Sequence, residues 1–185
     1  SSAGTIIGIS TGAGNDNIYS NTISNLTSTG GTTTTVTGIY VSAGTTKNVY
    51  QNVISGLTAN SATTGNATTL LTVNGIWVLG GATVNLYENK ISNLTANAIS
   101  TGTINGIAIT GGTTVAAYRN KIINIATAST AVGAGGVNGI RMSATTVSAS
   151  TTIRNNIIGE LVATAANNAD PVRGINLFSS GTTSS

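Results

Sequence analysis

The sequence predicts an all-β chain wound into a single-stranded parallel β-helix, a β-solenoid of about five to six coils of 30–37 residues. Three observations predict it. One line of sequence recurs along the chain, its residue types suit strands, and apolar residues alternate with variable ones inside each copy.

The recurring line is plainest in "VNGIWVLGGATVNLYENKISNLT", from Val73 to Thr95. Reworded copies start at Ile6, Val36, Ile104 and Val137, and a sixth opens at Val172 as "VRGINLF". The marker glycines Gly8, Gly38, Gly75, Gly106, Gly139 and Gly174 are spaced by 30, 37, 31, 33 and 35 residues. A unit of that size belongs to stacked repeat architectures. The pattern runs from one end of the chain to the other, so residues 1–185 are expected to form a single β-helix segment of a longer repeat array.

Thr, Val, Ile, Ser, Gly and Asn dominate. Gly, Asn and β-branched residues are poor in helix interiors, whereas Val, Ile, Thr and Tyr suit strands. The single proline, Pro171, falls in a connection.

The first strand of each unit follows the marker glycine. Ile9, Ile39, Ile76, Ile107, Ile140 and Ile175 come next, and Thr11, Val41, Val78, Ile109, Met142 and Leu177 stand two places later. Both sets are expected to face inward. Between them the residue varies: Ser10, Tyr40, Trp77, Ala108, Arg141 and Asn176 are expected to face outward. Before the glycine the apolar residue, such as Val73, has the other parity. The face therefore switches there, and Asn74-Gly75, Asn105-Gly106 and Asn138-Gly139 read as a bend with residues that tolerate positive φ.

A second strand reads Tyr-x-Asn-x-Ile. Its Asn are Asn21, Asn52, Asn89, Asn120 and Asn155, with Tyr19, Tyr50, Tyr87, Tyr118 and Ile153 two places earlier. Ile23, Ile54, Ile91, Ile122 and Ile157 stand two places later. Period two puts Tyr, Asn and Ile on one inner face. Stacked inward Asn side chains can pass amide hydrogen bonds from coil to coil, so the five Asn are expected to form a structural ladder. Asn25, Gly56, Asn93, Asn124 and Gly159 mark a second corner, and "LGGAT" and "TGGTT" a third. The Thr-, Ser- and Gly-rich stretches that follow, such as "TSTGGTTTT" and "TANSATTGNATT", vary in length and are expected to project as loops.

Composition excludes several functions. Charged residues make up 6% of the chain, against about 25% in an ordinary domain. A net charge of +3 is too dilute for a nucleic-acid footprint. With no Cys and no His there is neither a thiolate metal site nor a His-based triad. Neither a cofactor nor a metal is expected, and no apolar run is long enough for membrane insertion as a helix. The acids Asp16, Glu88, Glu160 and Asp170 fall at four different places in the repeat, whereas glycoside hydrolysis needs two carboxylates about 5–10 Å apart. An enzyme, including a polysaccharide-degrading one, is therefore not expected.

The lines "NVYQNVIS" and "NLYENKIS" resemble repeats of right-handed parallel β-helices in secreted polysaccharide-active enzymes and surface proteins. The fuller pattern resembles repeats of large secreted, cell-surface, adhesin-like proteins of gliding, type IX-secreting bacteria. That resemblance implies a non-enzymatic structural or adhesive role: a stiff stalk or spacer in an extracellular surface protein. Its partners would be further copies of the same repeat, in the parent chain or end to end. The alternative is a carbohydrate-binding β-helix. Tyr40 and Trp77 share an outward position in successive coils and can stack on sugar faces. Arg141, two coils beyond Trp77, adds a cation suited to an acidic surface polysaccharide. Lys90, Lys121, Arg119 and Arg154 suggest a modest basic stripe. The Thr pairs Thr45-Thr46, Thr113-Thr114 and Thr145-Thr146 raise ice binding, but no ordered T-x-T column accompanies them.

Overall fold

The computed structural model describes residues 4–29, 33–60, 70–97, 101–128, 136–143, 150–164 and 169–177. The first coil holds β1 (Gly4–Thr11), β2 (Asp16–Tyr19), β3 (Thr22–Ser24) and β4 (Thr27–Thr29). The second holds β5 (Thr33–Val41), β6 (Thr46–Tyr50) and β7 (Val53–Asn60), and the third β8 (Leu70–Val78), β9 (Thr83–Tyr87) and β10 (Lys90–Asn97). The fourth holds β11 (Thr101–Ile109), β12 (Thr114–Tyr118) and β13 (Lys121–Thr127). The fifth holds β14 (Val137–Met142), β15 (Ser150–Arg154), β16 (Ile157–Ile158) and β17 (Leu161–Ala163), and β18 (Val172–Leu177) opens the next.

Three parallel sheets result, each strand pairing with its copy one coil away. Sheet 1 stacks β1, β5, β8, β11, β14 and β18; sheet 2 stacks β2, β6, β9, β12 and β15; sheet 3 runs from β3 and β4 through β7, β10 and β13 to β16 and β17. The register sets like on like: Ile39 on Ile76, Ile76 on Ile107, Ile107 on Ile140. Ile54, Ile91 and Ile122 align the same way in sheet 3. All of these are buried and form one continuous core with the Val36–Val73–Ile104–Val137 column. Burying a side chain of this size stabilises by roughly 1.5–3 kcal/mol. The chain is thus a parallel β-solenoid.

Three corners turn each coil. Between sheets 1 and 2, Gly14, Gly44, Gly81 and Gly112 take φ of 107, 124, 130 and 111°, open only to glycine. Between sheets 2 and 3, Ser20, Gln51, Glu88, Arg119 and Asn155 sit in the left-handed region at φ of 55–57°. Within sheet 3, Asn25, Gly56, Asn93, Asn124 and Glu160 do the same.

The second of these corners corrects the reading of Tyr-x-Asn-x-Ile. A left-handed residue between Tyr and Asn rotates the chain, so Tyr and Asn lie on opposite faces. Val49, Leu86 and Ala117 point inward instead, and the Tyr column lies outside. The fifth copy also shifts by one. Tyr118 pairs with Arg154 and Lys121 with Ile157, so Asn156 and Ile158 take the places expected of Asn155 and Ile157. "RNNII" fits the pattern in either phase. Asn155 at φ 55° fills the corner, which fixes the later phase and makes Glu160 rather than Gly159 the next corner residue.

The Asn-Gly pairs also act differently from a positive-φ bend. None of Asn74, Gly75, Asn105, Gly106, Asn138 and Gly139 has positive φ. The parity switch is present: Val73 and Ile76, three apart, are both fully buried. Glycine is needed there for close approach. A Cβ on Gly38 would lie 2.6 Å from the Gly75 carbonyl oxygen and 2.7 Å from Ile54 Cγ2.

Part of each stretch expected to project belongs to the sheet. Thr27–Thr29, Thr58–Asn60 and Thr95–Asn97 are strand residues, with Ala59 stacked on Ala96. Residues 61–69, 98–100 and 129–135 of those stretches, and the pair Thr145-Thr146, lie outside the described residues.

Candidate functional site

The corner between sheets 2 and 3 aims Asn21, Asn52, Asn89 and Asn120 inward. In each link the backbone N–H and the side-chain Nδ2 of one Asn both donate to Oδ1 of the next. The distances are 3.0 and 3.0 Å from Asn21 to Asn52, 3.1 and 3.0 Å from Asn52 to Asn89, and 3.1 and 3.0 Å from Asn89 to Asn120. Nδ2 also donates back to the preceding coil, from Asn52 to the Ile18 carbonyl and from Asn89 to the Val49 carbonyl, each at 2.9 Å. Asn156, in place of Asn155, accepts from Asn120 at 2.9 and 3.0 Å. Both amide donors and the oxygen are committed, so this column holds coils together and leaves nothing for a ligand.

Outside the same sheet, Tyr19, Tyr50, Tyr87 and Tyr118 stack with ring centroids 5.0, 4.8 and 5.1 Å apart and planes within 6°. Arg154 lies over the Tyr118 ring at 4.8 Å. Desolvation within this stack, then the neighbouring Tyr50, Tyr118 and Glu88, raises the Tyr87 phenol above its ordinary 10.0. The supposed basic stripe is divided. Lys90 stacks on Lys121 in sheet 3, Arg119 reaches Glu88 at 3.5 Å in the corner column, and Arg154 belongs to the Tyr stack.

Lys47 went unnoticed in the sequence. It is fully buried in an inward column of sheet 2, between Asp16 and Val84, and its Nζ pairs with Asp16 Oδ2. The signal was legible: opposite charges in adjacent copies, in a column that continues as Val84, Val115 and Thr151. Each acid but one meets its own cation, Asp16 with Lys47, Glu88 with Arg119, and Asp170 with Arg173 at 3.8 Å. Among the described residues no three of His, Cys, Asp and Glu group as a metal site.

The outward face of sheet 1 carries the cleft. Tyr40, Trp77, Ala108 and Arg141 occupy one column in successive coils. The Tyr40 and Trp77 rings are 4.9 Å apart and tilted by 49°. Trp77 Nε1 donates to Thr110 Oγ1 at 2.9 Å, which fixes the indole. Ala108 is too small to fill the space between Trp77 and Arg141, whose strands lie roughly 10 Å apart. Beside this column runs a second ladder that the Asn-Gly reading did not foresee. Asn105 donates to Asn74 at 2.8 Å and Asn138 to Asn105 at 3.0 Å, and Asn176, from the column of Arg141, donates to Asn138 at 3.0 Å. Between the two columns lies a cleft of about 220 Å³, lined by Trp77, Ala108, Arg141, Asn74, Asn105 and Thr110. Tyr40 does not line it; its ring backs the indole from the next coil.

One donor in the cleft has no acceptor among the described residues. Arg141 Nε is buried and unpaired. On the opposite wall Asn74, 3% exposed, accepts from Asn105. A buried donor left unmade costs about 1–3 kcal/mol. Thr110 also edges a shallow groove of about 600 Å³ over the glycine corner, lined by Gly80, Gly81, Gly111 and Gly112 among others. Thr110 is thus common to the cleft and the groove. Comparison of the chain with family models, with curated proteins and with solved structures gives no match.

Proposed function

We propose that the chain is a stiff, non-catalytic spacer in a large extracellular surface protein, of the adhesin-like kind made by gliding, type IX-secreting bacteria. The observation that carries this reading is how the repeated polar residues are used. The inward Asn of every coil spend their hydrogen bonds on the neighbouring coil, and the Tyr column stacks on itself. The recurrent chemistry joins coil to coil, which suits a rod that sets distance. The acids stand in separate columns, and Asp16, Glu88 and Asp170 are each held by a separate cation, which suits pairing rather than acid–base work.

The test is made in the parent protein on its native cell. Deleting one whole unit, residues 73–103, is expected to shorten the surface projection seen by electron microscopy and to leave any activity carried elsewhere intact. A segment recovered only from the cytosol, or a deletion that abolishes a chemical activity at unchanged protein level, would contradict the reading.

A further inference from the structure

We propose that the cleft above Ala108 binds one uronate unit of an acidic polysaccharide, its carboxylate on Arg141 and its ring against Trp77. This goes beyond the spacer reading and does not depend on it. Four observations converge. Arg141 offers a buried Nε–H without an acceptor, part of a planar fork that matches a carboxylate. Asn74, nearly buried on the Trp77 strand, lines the same cleft with an amide suited to a ring hydroxyl. Trp77 is covered by Tyr40 on one side and has the small Ala108 as its neighbour on the other, so indole surface lines the cleft where a sugar ring can lie. Among the described residues no carboxylate lines the cleft to repel an anion.

Size limits the occupant. About 220 Å³ lies below the roughly 300–1,000 Å³ of drug-sized pockets, which fits one sugar unit rather than a folded partner. The groove over the glycine corner, which shares Thr110 with the cleft, offers neighbouring units of the polymer a flat surface. An acidic peptide shares the carboxylate but not the ring with hydroxyls on both edges, so the sugar is favoured.

Trp77 is the only Trp of the chain, so its fluorescence reports from the cleft itself. The whole segment is titrated with oligogalacturonate, with its methyl ester, and with an oligo-glutamate of equal charge. Oligogalacturonate is expected to shift the emission saturably. The ester is expected to bind about tenfold or more weakly, having lost the charged hydrogen bond. Arg141→Lys, which keeps the charge but not the fork, is expected to weaken binding of the acid and leave that of the ester unchanged, with an unaltered thermal melt. Arg119→Gln, at the corner between sheets 2 and 3, is expected to bind like wild type. Equal binding of ester and acid, or oligo-glutamate binding as well as the sugar, would overturn the proposal. So would no saturable change with oligogalacturonate, a result the unsubstituted protein alone can give.

Discussion

Asn52 gives both its backbone N–H and its side-chain amide to a single atom, Asn89 Oδ1 in the next coil, at 3.1 and 3.0 Å. One oxygen thus closes the corner of the coil beside it and fixes the vertical register as well. A polar side chain fully removed from water is tolerable on these terms, because its own Nδ2 passes the same arrangement on to Asn120.

The marker glycine allows the coils to come that close. A Cβ on Gly75 would lie 2.5 Å from the Gly106 carbonyl oxygen and 2.6 Å from Ile91 Cγ2, whereas one on Gly174 would meet nothing within 4 Å. Gly75→Ala is expected to destabilise by about 1–3 kcal/mol or more, and Gly174→Ala by a small fraction of that. Urea unfolding of the two variants checks the contrast.

Lys47 is fully buried, while the Asp16 side chain is 39% exposed. Removing the acid strands a buried ammonium; removing the Lys leaves a carboxylate that water can reach. Asp16→Asn is therefore expected to cost about 3 kcal/mol, the low end for a broken buried pair. Lys47→Val, which copies Val84 and Val115 of the same column, is expected to cost less than about 1 kcal/mol. Equal losses in denaturant unfolding would show that the pair is not desolvated as the burial indicates.

The Tyr87 phenol is raised above 10.0, mainly by desolvation. The fold thus holds that proton more tightly than the unfolded chain does. This contribution is full below pH 10 and is lost as pH rises through the raised folded value. Tyr87→Phe is expected to show a smaller loss of stability above pH 10 than wild type. An absorbance titration of phenolate should place the last-ionising Tyr of the wild type above 10 and lose that step in the variant.

Asn155 and Asn156 differ in a way that separates corner from ladder. Asn155 sits at φ 55°, where glycine is at ease, and Asn156 accepts two bonds from Asn120. Asn155→Gly is expected to be near neutral, and Asn156→Gly to cost about 1–3 kcal/mol in thermal or urea unfolding.

Most of the fold was legible because the repeats stack: Ile76 falls on Ile107 and Asn89 on Asn120, as columns read from the aligned copies require. What was misread follows from one physical event. A left-handed non-glycine residue, such as Glu88, reverses strand parity without a Gly or Pro to announce it. That event placed Tyr87 outside and made "RNNII" ambiguous. Tyr40 and Trp77 were read correctly as neighbours. Asn74 and Asn105, which build the wall of the cleft, were taken for a turn because Asn-Gly commonly makes one. Their repetition in the column just before the glycine was the available signal.

The most direct measurement on the whole scheme is urea unfolding of Asn89→Leu beside wild type. Leu adds apolar bulk at a fully buried position, so burial alone would raise stability. The substitution also orphans the Asn52 backbone N–H, the Asn52 amide and the Val49 carbonyl. At about 1–3 kcal/mol for each orphaned group, a net loss of roughly 3 kcal/mol or more is expected. A variant as stable as wild type, or more so, would show that the Asn column does not bind the coils together.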